Sequence, residues 1–174
     1  MLLFQVGGNC SVLLQSGTTA VVVVSKSGKL PNKKMDIYED FAVIVSFDSQ
    51  RWSCDYYACE QTVLPTSDAP LHCAVLLEAR TQFQWSEYPA VVLHGHAFET
   101  EQEAAKYGFP ISTEETLFST PEDTQALMTL LTTHPYPKDE VYIRKGHGFL
   151  LLAADTQHAS KVFEARMKRH LGNS

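Results

Sequence analysis

Three β-branched runs follow one another with only turn signals between them: CSVLLQ (10–15), TAVVVVSK (19–26) and FAVIVSFD (41–48). The separating segments, SGTT and SGKLPNKKM, are rich in turn-forming residues. Parallel neighbours need a long crossover, usually a helix, whereas antiparallel neighbours close through a short turn. The runs therefore predict an antiparallel meander, with RWSCDYYAC (51–59) as a candidate fourth strand. A βαβαβ arrangement does not supply so many consecutive strands.

Downstream the period changes. TSDAPLHCAVLLEAR (66–80) predicts a helix: Ser67 or Asp68 is its N-cap, Pro70 fits the first turn, and Leu71, Val75 and Leu76 recur at helical spacing. YPAVVLHGH (88–96) returns to strand, and TEQEAAKYG (100–108) is a short polar helix closing on Gly108. STPEDTQALMTLLTTH (119–134) carries Ser/Thr caps, Pro121 and early acids, all helix-start signals. EVYIRKGHGFLLLAAD (140–155) is strand on both sides of a glycine pair. TQHASKVFEARMKRHLG (156–172) is a closing helix with cations near its C-terminus, as the helix dipole prefers. The expected fold class is α/β: three layers, a mostly antiparallel central sheet flanked by helices. At 174 residues, the whole of 1–174 is expected to be one domain.

A formal net charge of −6 argues against a nucleic-acid partner, whose domain is normally basic. There is no apolar run of membrane-spanning length. The segment MLLFQVGGNC lacks the basic start of a signal peptide, so the expected compartment is the cytoplasm. The cysteines at 10, 54, 59 and 73 form no CxxC pair and read as reduced thiols. Neither a GxGxxG turn nor a P-loop is present, which gives nucleotide binding little support.

Chemistry concentrates in three places. AVVLHGHAF (90–98) places His94 and His96 two apart on a strand, on one face, with Cα atoms about 6.5–7 Å apart. RKGHGF (144–149) sets His147 between two glycines. PTSDAPLH (65–72) is a loop-to-helix junction with hydroxyls and a carboxylate. Three histidines with an open fourth position make a zinc site of catalytic type, yet HxH spacing fits ordinary surface or core histidines as well. The lysines at 26, 29, 33 and 34 either favour an anionic substrate or form a solvated turn. His72 reads as core or a support to the site, and His134, His158 and His170 as surface. Trp52 and Trp85 read as packing residues. Glu99, Glu101 and Glu103 read as a solvated helix face, with Glu101 a minor catalytic candidate.

GGNCSV (7–12), SKSGKL (25–30), IYEDFAVIVSFD (37–48), TSDAPLHCAVL (66–76), AVVLHGH (90–96) and YIRKGHGFLLLAAD (142–155) occur in that order. In order and spacing together, over nearly the whole chain, they resemble the class II aldolase/adducin family. That family includes fuculose-phosphate aldolases, ribulose-phosphate 4-epimerase and a sugar-phosphate dehydratase. The resemblance implies that His94, His96 and His147 bind Zn2+ or another divalent cation. It implies Asp68 as the catalytic carboxylate, facing the metal or moving a proton, and TSDAPLH is closer to the epimerase version. It implies that Asn9, Ser27, Gly28, Thr66 and Ser67 hold a substrate phosphate. The implied chemistry is aldol cleavage or epimerisation of a small phosphorylated sugar through a metal-stabilised enediolate. Alternatives are a metal-dependent dehydratase and a non-catalytic adducin-like interaction module. Homo-oligomerisation, as a tetramer, is implied by the same resemblance.

The match departs from the family pattern in several places. Gly7-Gly8-Asn9 stands for Ser-Gly-Asn, and Lys145-Gly146 for Arg-Asn. The pattern starts close to the first residue, where family members carry a helix. The last tyrosine is Tyr142, so a C-terminal tyrosine acid has no counterpart, and Tyr107 and Tyr136 are its candidate substitutes.

Overall fold

The computed structural model describes residues 8–28 and 34–168. Seven strands form one sheet in the order β4-β3-β2-β1-β5-β7-β6, and every neighbouring pair is antiparallel. β1 (Asn9–Ser16), β2 (Thr19–Ser25), β3 (Phe41–Asp48) and β4 (Ser53–Ala58) are the meander expected from the β-branched runs. β4 is shorter than its apolar segment because Trp52 takes a left-handed backbone (φ 54°) and stays in the hairpin turn. β5 (Val91–Gly95) lies beside β1, and β7 (Gly148–Ala153) and β6 (Val141–Arg144) complete the other half. β5 starts later than expected. Pro89, which has no N–H for a ladder, precedes it.

Alternation divides the sheet between two cores. Val22, Val24, Ile44, Val92, Leu150 and Leu152 point to one side, under Leu71, Leu76, Leu127 and Leu131. Val91, Ile143, Phe149, Leu151 and Ala153 point to the other, under Ala104, Ala159 and Val162. The sheet is thus flanked by helices on both faces, in three layers.

The helix expected at 66–80 is α1 (Ala69–Cys73), continued by a π-helical stretch Ala74–Glu78 and α2 (Ala79–Gln82). Asp68 does hold the N-cap position, but its carboxylate makes no capping bond. α3 (Glu101–Tyr107) starts with a Thr100–Glu103 capping box and ends on left-handed Gly108. α4 (Pro121–Thr133) is capped by Thr120, and α5 (Thr156–Val162) by Asp155. A π-helical stretch Phe163–Lys168 follows α5. The rest of the predicted closing helix, with His170, lies outside the described residues, as do Gly7, Lys29 and Lys33. Among the described residues, no helix is long and apolar enough to cross a membrane.

Candidate active site

Strand register assembles the site. Asn9 on β1 pairs with His94 on β5, so their side chains are neighbours on one face. His96 follows just past the end of the strand. Between the two histidines, Gly95 pairs with Phe149, and a Cβ on Gly95 would sit 2.6 Å from the Phe149 ring. Only glycine lets that ring lie against the strand on the face opposite the histidines. His147 arrives on the turn between β6 and β7. Gly148 follows it with φ +120°, and a Cβ there would meet the Gly95 carbonyl oxygen at 2.2 Å and His96 Cα at 2.9 Å. Those are backbone atoms that cannot swing aside. Gly148→Ala is therefore expected to lose roughly 2–4 kcal/mol of stability, combining strain and overpacking. Gly17→Ala, also at positive φ but with open space around it, should lose only about 1 kcal/mol. Denaturant midpoints of the two variants check the comparison.

The donor nitrogens of His94, His96 and His147 all lie within 4.8 Å of one another. His94 is fully buried, His147 half-buried and His96 exposed, so the cluster opens to one side. His94 Nδ1 donates to the Phe149 carbonyl at 2.8 Å. A carbonyl can only accept, so the proton sits on Nδ1 and Nε2 keeps its lone pair. That Nε2 is buried and, among the described residues, has no hydrogen-bond partner. Burial holds the His94 imidazolium form well below the usual range; Arg144 and His147 add to this, against the opposing pull of Asp68. Burial, then Arg144, pushes His147 down to about 4. At neutral pH both rings are neutral and able to donate. Three convergent imidazoles, one oriented by a carbonyl and left with an orphaned lone pair, fit a divalent cation.

Asp68 stands beside them, with Oδ2 3.8 Å from His94 Nε2. Its oxygens accept from Asn9 Nδ2 (2.9 Å), Ser119 Oγ (2.7 Å), Arg144 Nη1 (3.3 Å) and Arg144 Nη2 (3.5 Å). Burial alone would raise its pKa, but Arg144, His94, His72 and the Asn9 bond together hold it well below the usual carboxylate range. Behind Asp68, the Arg144 fork is shared with a second carboxylate: Nε donates to Asp123 Oδ1 at 3.1 Å and Nη2 to Asp123 Oδ2. Two buried carboxylates thus share one guanidinium. This leaves one formal negative charge beside the histidines, which favours a bound cation there.

A cavity of about 200 Å3 opens above this cluster. It is lined by His94, His96, His147 and Asp68, and also by Asn9, Ser27, Gly28, Thr66 and Ser67. The nine residues that the resemblance assigns to metal, carboxylate and phosphate roles therefore meet in one place. Two backbone bonds join their segments: Ser27 N donates to the Leu64 carbonyl (2.9 Å) and Thr66 N to that of Ser25 (3.0 Å). Those two N–H groups are engaged within the fold. Lys26 also lines the cavity, with its ammonium 2.7 Å from Asp40.

Other readings need correction. Glu101 lies outside the cavity and pairs with Lys145 at 2.5 Å, a surface contact. Tyr107 packs on Phe98 and Phe109, and Tyr136 is buried beside Trp85; neither lines the cavity. Trp52 does more than pack, since its Nε1 donates to the Ser119 carbonyl at 3.0 Å. Trp85 stacks on Phe83, as a packing residue does. His72 is buried, 2.7 Å from Ser11 Oγ, under the site. His134 and His158 face Asp139 and Glu140. Sequence reading missed Phe118 and Ser119, which line the cavity, and Arg144 and Asp123 behind it. Phe118 stacks on His147 with centroids 4.8 Å apart. Ser119 read only as part of a helix start, and STEETLF before it has no periodicity or motif that marks Phe118.

No protein-family model matches the sequence, and no curated protein matches it. Solved structures do. An L-fuculose 1-phosphate aldolase superposes with TM-score 0.63 at 17% identity, covering 91% of this chain and 70% of that one. A sugar-phosphate aldolase from Thermotoga maritima gives 0.63 at 14% identity, covering 94% and 82%. The N-terminal class II aldolase domain of a conserved protein from Thermoplasma acidophilum gives 0.56 at 16% identity, covering 91% and 79%. Sequence order, sheet topology and these superpositions agree that the chain has the class II aldolase-like fold.

Proposed function

We propose that the chain is a divalent-metal-dependent lyase or epimerase acting on a small phosphorylated sugar, with zinc the first candidate metal. The observation that carries this reading is the trio of imidazoles with ligand nitrogens within 4.8 Å, one of them with a buried lone pair that nothing among the described residues satisfies. His94, His96 and His147 would hold the cation. When bound, it supplies Lewis-acid polarisation of a substrate carbonyl oxygen. The protein's own groups do the remainder. Asn9 lies opposite His94 in the register, and its Oδ1 is buried without a hydrogen-bond partner among the described residues, so it can accept from a sugar hydroxyl. Ser27, Thr66 and Ser67, which line the same cavity, would present hydroxyls to the phosphate. Asp68 already accepts four donor bonds, which favours a fixed anion that orients the metal site over a carboxylate that exchanges a proton. The aldolases among the similar structures support cleavage of a carbon–carbon bond as the first reaction to test.

Purified protein is expected to carry about one divalent ion per chain by elemental analysis, the stoichiometry of one such site. The loaded protein is then screened on phosphorylated ketoses for aldehyde release and for epimer formation. Folded protein that takes up no divalent metal would overturn the reading.

A further inference from the structure

We infer that Asp123, which touches neither the cavity nor the histidines, is the positioning residue that holds Asp68 in its working orientation. The inference rests on the metal-site reading above. Asp123 sits in the first turn of α4 and is 2% exposed. Its carboxylate ties together three things that otherwise have no connection in sequence. It takes the Arg144 fork, leaving Nη1 and Nη2 to reach Asp68. Its Oδ2 accepts the Ser119 backbone N–H at 3.2 Å, and its Oδ1 accepts the Thr116 hydroxyl at 3.3 Å. The strap before α4 is thereby fixed with Ser119 in a left-handed backbone (φ 61°), an uncommon state for a residue with a side chain. In that state Ser119 Oγ lies 2.7 Å from Asp68 Oδ1. Both routes from Asp123 end on the same carboxylate, one on its guanidinium side and one on its hydroxyl side.

The Arg144 end reaches the histidines as well. Arg144 is the last residue of β6, and its carbonyl accepts the His147 N–H at 2.9 Å, closing the turn that presents His147. Asp68 itself forgoes capping α1 in order to face this network. An N-cap aspartate is ordinarily worth keeping as a cap, so its diversion is the mark of a carboxylate placed for the site. Without Asp123, Arg144 is free to rotate toward Asp68 and the strap loses its anchor. Of the four bonds on the Asp68 carboxylate, the one from Asn9 alone is then independent of Asp123.

The test is metal affinity, measured by competition with a chromophoric chelator, and the ligand-field spectrum of the Co2+-loaded protein. Asp123→Asn keeps the shape but turns an amide toward the guanidinium. It is expected to weaken Co2+ and Zn2+ binding roughly 10–100-fold, as loss of an outer-sphere partner does, and to alter the Co2+ spectrum. Asp123→Glu keeps the charge and should recover part of the affinity. Glu122→Gln removes an exposed charge from the same turn and should leave both readouts at wild-type values. All measurements are made well below each variant's unfolding temperature. A merely structural role would lower that temperature and leave affinity and spectrum unchanged, and that result overturns the inference. If Asp123→Asn does not fold, Ser119→Ala decides. Weakened metal binding with an altered spectrum supports the inference; wild-type values for both overturn it. Wild-type protein that binds no metal fails the underlying reading instead, so the two failures are distinguishable.

Discussion

His96→Ala is expected to weaken divalent-metal binding by more than about 100-fold, beyond the roughly 10–100-fold that outer-sphere partners command. It should do so with almost no loss of stability. The reason lies in where each histidine sits. His94 is fully buried and its Nδ1 satisfies the Phe149 carbonyl, so removing it also opens a cavity and leaves a buried acceptor unpaired. That alone costs about 1–3 kcal/mol. His96 is exposed, and among the described residues its ring contacts are with its two partner histidines. His96→Ala therefore separates coordination from folding, which His94→Ala does not. Isothermal titration with Zn2+ and a thermal melt of the apo protein supply the two numbers. A variant that binds zinc as tightly as wild type would sink the three-histidine assignment.

The parts of this site that were legible in the sequence are those where local pattern and tertiary position coincide. Alternation along AVVLHGHAF places His94 and His96 on one face whatever else the chain does. The glycines around His147 announce a close backbone approach, and Gly148 against Gly95 is that approach. The meander, too, follows from runs that have only turns between them. Arg144 and Asp123 were invisible for the opposite reason. Each sits where its local pattern has an adequate explanation of its own. Arg144 ends an apolar strand, and Asp123 reads as an ordinary acid in the first turn of a helix. Their partnership spans 21 residues of sequence and rests on packing α4 beside β6. No periodicity encodes that. Asp68 was legible as a candidate N-cap, and the position is right, but the hydrogen bonds of its carboxylate leave the helix altogether. Ser119 was hidden by its left-handed backbone, which turn-signal reading assigns to glycine or asparagine.

Arg144→Met is expected to destabilise the protein by about 3–5 kcal/mol, the range for removing one partner of a buried ion pair. Methionine is similar in length and apolar, so the loss is not chiefly one of packing. What remains is Asp68 and Asp123, both about 2–3% exposed, with their shared cation gone. Asp68 keeps Asn9 and Ser119 as donors, and Asp123 keeps the Ser119 N–H and Thr116. These satisfy hydrogen bonds but supply no charge. Added salt should restore little, because screening acts weakly on buried charges. The double variant Arg144→Met/Asp123→Asn provides the decisive comparison. If the penalty comes from an uncompensated buried carboxylate, the double variant should be less destabilised than the sum of the two single variants, by at least about 1 kcal/mol of coupling. Additive losses in urea denaturation would mean that the two residues are not energetically paired. A fully apolar replacement of such a network is often neutral or stabilising. Stability is therefore a weak reason for this chain to keep two carboxylates on one guanidinium under its histidines, and orientation of Asp68 is the stronger one.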